Sequence, residues 1–217
     1  MKMNQTRLAL TLGGIVALAG CAAVAPKADY DAMLDKIMRS SFRDQGIARV
    51  ERLKQDASNE ACSDAQGAAL PEAQAKAIEM ANRKTVKMPS DGKFLGDWKV
   101  GEKLAQNGQG MTWSDASADT NANGGNCYNC HQIDMAEISY GTIGPSLYNY
   151  GKLRGVSDPA SAAAKPVVEY TWVKLYNAKA YSACSVMPRF GHAGMLDEKQ
   201  RQDLMALLLD PNSPVNK

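Results

Sequence analysis

The pentapeptide Cys127-Tyr128-Asn129-Cys130-His131 decides how the rest of the chain is interpreted. Its spacing, C-x-x-C-H, is the attachment signature of a c-type haem. Two thiols one helical turn apart can form thioether bonds to the two vinyl groups of one porphyrin. The histidine that follows then supplies an imidazole nitrogen to the iron as its proximal ligand. The sequence therefore predicts one covalently attached haem c, held by Cys127, Cys130 and His131.

Two other kinds of site also use a C-x-x-C pair. A thioredoxin-like redox motif lies near a βαβ pattern, which this sequence lacks. A zinc site needs a second Cys/His pair at similar spacing. The remaining candidates, Cys62, Cys184 and His192, are scattered along the chain. Both alternatives are therefore weaker than haem attachment.

The N-terminus has the features of a bacterial lipoprotein signal. Lys2 and Arg7 form a positive region, residues 8–19 form an apolar run, and Leu18-Ala19-Gly20-Cys21 resembles a lipobox. The apolar run is too short to span a membrane. We therefore expect cleavage before Cys21, lipidation of this cysteine, and a periplasmic protein held at a membrane. An ordinary signal peptide or an uncleaved anchor is the alternative.

The signal also explains the apparent basicity of the chain. The whole sequence carries 25 basic and 23 acidic residues. Lys2 and Arg7 lie within the signal, so 23 basic residues remain against 23 acidic ones. With no net charge and no basic patch interleaved with aromatic residues, we expect no nucleic-acid partner.

The five cysteines divide by chemistry. Cys21 is assigned to lipidation, and Cys127 and Cys130 are assigned to haem attachment. Cys62 and Cys184 remain, in an exported and therefore oxidising setting, so parity predicts that they form a disulfide. Two independent free thiols, or Cys184 acting near the iron, are the alternatives.

Helical patterning predicts an all-α chain in three parts. Residues 1–20 are the signal, 21–88 a tether and N-terminal helical extension, and 89–217 a cytochrome domain. The boundary is placed at the break over 88–92. Helices are predicted over 29–55, 71–84, 98–107 and 170–181, with a last one beginning at Asp197 and a loop over 58–69. A break of the first of these into two helices at Gly46 is the alternative.

Two of these helices are expected to pack together. Gly101 is costly inside a helix, so the close approach of another helix is a reason for its presence. The last helix begins at Asp197, with Gln200 completing a capping box. Its strong apolar face makes it the natural partner of the helix over 98–107.

The second axial ligand must carry a lone pair, and Met187 is the preferred candidate. It precedes Pro188 in an irregular segment between two predicted helices, where a thioether can reach the distal face of the haem. His192 would give a bis-histidine site, and Met195 is a further alternative. Met135, Met205 and Cys184 complete the candidates that follow the motif. The Gly144-Pro145 turn is expected to place a carbonyl against the free ring nitrogen of His131.

The order of these features resembles a class I cytochrome c, an all-α fold that here has an N-terminal helical extension. Four segments are similar to the SoxX family, the monohaem subunits of the SoxAX cytochromes of sulfur-oxidising bacteria. They are GNCYNCH at 125–131, YGTIGPSL at 140–147, CSVMPRFG at 184–191 and LDPNSPVN at 209–216. The resemblance covers roughly residues 87–216.

The resemblance implies a function in thiosulfate oxidation. SoxAX, an L-cysteine S-thiosulfotransferase, joins thiosulfate to a cysteine of the carrier SoxYZ and releases two electrons. The catalytic haem lies in SoxA. This chain would therefore be the non-catalytic electron-transfer subunit of a heterodimer with a SoxA-type cytochrome. His131 and Met187 would be its axial ligands, and another cytochrome c could accept the electrons.

Two other functions share the haem motif. A generic periplasmic monohaem cytochrome c would carry the same haem residues and differ only in its partners. A haem peroxidase or ligand sensor would need an open or displaceable sixth position on the iron.

Overall fold

The computed structural model describes residues 29–217, and this part of the chain is helical without a strand. Its seven α-helices are α1 (Tyr30–Ser41), α2 (Ala57–Asp64), α3 (Glu72–Arg83), α4 (Trp98–Gln106), α5 (Tyr150–Leu153), α6 (Lys165–Tyr176) and α7 (Glu198–Leu209). A single β-bridge joins Gln45 and Ala48. The all-α prediction is confirmed for the described residues. The predicted signal and the lipidation site at Cys21 lie outside them.

The chain divides between Phe42 and Arg43 into two compact units. The structure describes residues 29–42 of the first unit, and these residues include α1. The second unit, residues 43–217, contains the other six helices. The predicted boundary near residue 88 falls inside this second unit. A disulfide joins Cys62 to Cys184 across that boundary, and the Trp172 indole donates a hydrogen bond to the Lys87 carbonyl at 2.9 Å.

The predicted pairing of the helix at residue 98 with the last helix is confirmed as the contact between α4 and α7. A Cβ at Gly101 would lie only 2.1 Å from the Asp203 carbonyl oxygen, so only glycine allows this approach. The capping box is also present: Asp197 accepts a hydrogen bond from the Gln200 amide, and the Gln200 side chain accepts one from the Asp197 amide. Every residue from 200 to 209 is buried, so α7 is the central helix of the core.

Helix α6 lies five residues earlier than the predicted helix over 170–181. Pro166 is tolerated in the first turn, where the missing amide proton has no helical partner. The helix ends at Tyr176, since the Asn177 side chain accepts a hydrogen bond from the Lys179 amide and starts a 3-10 turn. Trp172 on this helix is fully buried and belongs to the core.

The N-terminal predictions were only partly correct. The helix expected over 29–55 ends at Ser41, where Phe42 is extended, and Gly46, at which a break was the predicted alternative, has a φ of +52°. The loop expected over 58–69 is wrong, since residues 57–64 form α2. The Asp56 side chain caps this helix by accepting a hydrogen bond from the Asn59 amide, and Cys62 ties it to the remainder of the unit. The helix predicted over 71–84 is confirmed as α3.

Candidate functional site

The haem motif lies on a tight turn of the chain. Asn126 has a left-handed φ of 49°, and Cys127–Asn129 then form a 3-10 turn. The amides of Cys130 and His131 both donate to the Cys127 carbonyl, at 3.1 and 2.9 Å. These bonds hold both thiols and the imidazole within one turn of backbone, which is the arrangement that the C-x-x-C-H spacing requires.

Helix α4 and the core hold this turn in place. The Gly125 amide donates to the Leu104 carbonyl at 2.8 Å, and the Asn126 amide donates to the Asn107 carbonyl at 2.9 Å. Tyr128 is buried in the core, and Cys127 packs against the same apolar cluster. Burial raises the pKa of the Cys127 thiol to about 12.

The loop over 132–147 returns to the motif and bonds to it along its length. The Gly141 amide donates to the Tyr128 carbonyl at 2.7 Å, and the Gly144 amide donates to the Cys130 carbonyl at 2.8 Å. A Cβ at Gly141 would lie 1.8 Å from the Asn129 carbonyl oxygen. Glycine at this position is therefore needed for the loop to approach the turn.

His131 is oriented by the Gly144-Pro145 turn, and the predicted carbonyl contact is present. The His131 Nδ1 lies 2.7 Å from the Pro145 carbonyl oxygen. Because a carbonyl oxygen only accepts, Nδ1 carries the proton and Nε2 keeps its lone pair. A Cβ at Gly144 would lie 2.1 Å from the His131 Cε1, so glycine leaves room for the ring.

Cys62 and Cys184 form a disulfide, the pair that parity predicts. This bond removes Cys184 from the candidate axial ligands. Three residues later, Met187 is partly buried and packs against the same apolar cluster as Cys127. It also lines a cleft of about 570 Å³ together with the disulfide, Lys179 and Arg189.

The alternative ligands occupy different environments. The His192 Nδ1 lies 3.2 Å from the Thr85 hydroxyl, and partial burial followed by the charge of Arg189 lowers the pKa of this histidine. Met205 is fully buried within α7, Met195 packs against the core, and Met135 is exposed. The assignment of Met187 as the distal ligand stays a prediction.

Sequence reasoning missed Lys179, a buried cation beside the disulfide. Lys179 as a whole residue is only 4% exposed, and its Nζ donates a hydrogen bond to the Ala183 carbonyl at 2.9 Å. Burial lowers the pKa of its ammonium group. The local pattern does not distinguish this lysine from an exposed one, because its burial comes from packing between distant segments.

Comparison with known proteins finds a relative of this chain. No family model matches the chain. A protein of Aquifex aeolicus (strain VF5), described as an uncharacterized lipoprotein, is 35% identical over 167 residues, which cover 75% of this chain and 73% of the relative. Over residues 29–217, no helix is both long and apolar enough to cross a membrane.

Proposed function

We propose that this chain, which belongs to the family of the Aquifex aeolicus lipoprotein, is a lipid-anchored c-type cytochrome that transfers electrons. The observation that carries the proposal is the contact between the His131 Nδ1 and the Pro145 carbonyl, at 2.7 Å. A histidine that ligates a metal almost always donates its other ring nitrogen to such an acceptor. Here the C-x-x-C-H motif and its orienting carbonyl occur together.

The residues of the motif fit a haem c. Cys127 packs against the apolar core cluster, and such surroundings suit the edge of a porphyrin. His131 is held with the Nε2 lone pair free, and Gly144 leaves the space that the ring needs. When bound, the haem supplies one-electron redox chemistry, while the protein sets its orientation and surroundings.

Met187 would be the distal ligand in this proposal. It packs on the same apolar cluster as Cys127, whereas the His192 ring lies beside the Thr85 hydroxyl. A thioether opposite an imidazole raises the reduction potential of a haem. A filled sixth position also disfavours binding of a substrate at the iron. Both effects favour electron transfer over a peroxidase or a ligand sensor.

We assign the chain the role of the SoxX-type subunit in a SoxAX-type thiosulfate-oxidising complex. The four SoxX-like segments support this role, and two of them hold the axial ligands of the proposal. Ile138 and Ile143, on the loop that follows His131, are 95% and 74% exposed. Apolar surface of this kind next to a redox site suits contact with a partner. The partner would be a SoxA-type cytochrome, and SoxYZ would carry the thiosulfate.

The proposal is tested by reconstitution. The purified protein is mixed with a SoxA-type cytochrome, the SoxYZ carrier and thiosulfate, and haem reduction is followed by absorption. We expect reduction of the wild-type haem, and a lowered reduction potential with slower electron removal in Met187→Ala. The matched control is Met135→Ala, since Met135 is exposed and should leave the potential unchanged.

Two results would contradict parts of the proposal separately. A Met187→Ala variant with the wild-type spectrum and potential would move the distal ligand to His192 or Met195. A wild-type protein that carries haem but neither binds the SoxA-type partner nor becomes reduced would support the generic electron carrier instead.

A further inference from the structure

Helix α1 has an apolar face that is not buried within its own unit of the chain. Tyr30, Met33, Leu34 and Ile37 follow the i, i+3, i+4, i+7 spacing of one helix face. They are 72%, 53%, 58% and 52% exposed, and α1 contains no buried residue. The opposite face is charged, with an ion pair of 2.8 Å between Asp35 and Arg39 on its surface.

A helix as short as α1 is stabilised mainly by contacts that cover its apolar face. Isolated helices shorter than about 12–15 residues are marginally stable in water, and α1 has 12 residues. Its N-cap, where the Asp29 side chain accepts a hydrogen bond from the Ala32 amide, adds only about 1 kcal/mol. Most helical stability in proteins comes from burial of the apolar face. The sequence of α1 therefore suits a helix whose apolar face is covered.

The lipid anchor places a covering surface within reach. Tyr30 follows Cys21 by nine positions, and nine extended residues span at most ~32 Å. Acyl chains on Cys21 would lie within the membrane. The first residue of α1 would then lie within ~32 Å of the lipid surface. We propose that α1 lies on the membrane, with Tyr30, Met33, Leu34 and Ile37 in the lipid interface, as a second membrane contact beside the acylated Cys21.

The charges and the size of α1 favour lipid over a second copy of the chain. The helix carries two acidic residues, Asp31 and Asp35, and two basic ones, Lys36 and Arg39, so it has no net charge. Attachment would then depend on apolar contact and only weakly on anionic lipid. A face of four side chains on a helix about 18 Å long is also smaller than the ~800 Å² per partner that stable protein interfaces bury.

This inference rests on lipidation of Cys21 and not on haem, so the two can fail separately. The test uses residues 22–217, exported on an ordinary cleavable signal, which supplies the mature chain without acyl groups. Sedimentation with vesicles of phosphatidylethanolamine and phosphatidylglycerol measures its binding. We expect weak but measurable binding that changes little with the phosphatidylglycerol content. Amide hydrogen exchange over residues 30–41 should slow only when vesicles are present.

Matched substitutions locate the contact. Ile37→Asp places a charge on the apolar face and should weaken vesicle binding at least about tenfold. Ala32→Asp adds the same charge on the opposite face and should leave binding nearly unchanged. Vesicle binding by the haem-free Cys127→Ala/Cys130→Ala protein should equal that of the wild type, which separates this test from that of the cytochrome.

Three results would overturn the inference. The first is a lack of vesicle binding by the unacylated protein of native sequence. The second is an equal loss of vesicle binding in Ile37→Asp and Ala32→Asp. The third is protection of residues 30–41 without vesicles: if it rises with protein concentration, a second copy covers the helix. If it does not, the helix folds onto its own chain.

Discussion

Replacing Gly144 by alanine tests the turn that orients His131. The added Cβ would lie 2.1 Å from the ring Cε1 and 2.4 Å from Nδ1. Carbon atoms in favourable contact are about 3.5 Å or more apart. Either the ring or the turn must therefore move by about 1.4 Å. A shift of this size lengthens the 2.7 Å contact between the His131 Nδ1 and the Pro145 carbonyl beyond hydrogen-bonding distance.

The expected size of the effect follows from the role of that contact. Loss of the group that orients a metal-bound histidine typically weakens the metal site about 10–100-fold. In the haem-bound protein, a proton and the iron would compete for the Nε2 lone pair of His131. Each tenfold weakening of the bond between His131 and the iron would therefore raise, by one pH unit, the midpoint pH at which half of the protein has lost this bond. We expect Gly144→Ala to raise this midpoint by about one to two pH units.

The assay is an acid titration followed by the absorption of the haem. The control is Ser146→Ala in the same turn, whose hydroxyl donates to the Gln132 side chain at 2.9 Å and not to the ring. Haem should remain attached in both variants, because the cysteines are unchanged. A Gly144→Ala protein with the wild-type midpoint and spectrum would refute the reasoning that this glycine makes room for the ligand.

The remaining predictions concern cysteines. The disulfide between Cys62 and Cys184 closes a loop with a sequence separation of 122. The double variant Cys62→Ser/Cys184→Ser should therefore lose about 3–5 kcal/mol of unfolding free energy, measured by urea denaturation. A urea unfolding curve with an unchanged midpoint and slope would contradict this. In the haem-free protein, burial keeps the Cys127 thiol protonated up to a pKa of about 12. Because only the thiolate reacts, its alkylation rate should rise about tenfold per pH unit between pH 8 and 11, and a plateau near pH 9 would contradict the buried environment.

Local signals in the sequence were sufficient to predict the elements nearest the motif. The α4–α7 pair was predictable because Gly101 and the Asp197 capping box are local signals with few structural explanations. The carbonyl beside His131 was predictable for a similar reason, since a Gly-Pro pair constrains the backbone strongly. The disulfide followed from the parity of the cysteines and not from geometry, which the sequence does not contain.

Other features depend on contacts between distant residues and were missed. Helix α2 has small polar residues with little apolar periodicity, and its stability comes from the Asp56 cap and the link through Cys62. The burial of Lys179 depends on the packing of segments far apart in the chain, since its Nζ lies 4.0 Å from the Cys62 sulfur. Helix α6 begins earlier than predicted, because Pro166 occupies its first turn, where proline is compatible with a helix.

Mass spectrometry of the peptide that contains residues 127–131 tests the central claim most directly. The protein is purified from a host that attaches c-type haem to its own cytochromes, and one of those cytochromes is analysed as a positive control. We predict that the peptide carries one haem bound through Cys127 and Cys130, and that Cys127→Ala/Cys130→Ala carries none. A wild-type peptide with two free, alkylatable cysteines, beside a control cytochrome that carries its haem, would contradict the account.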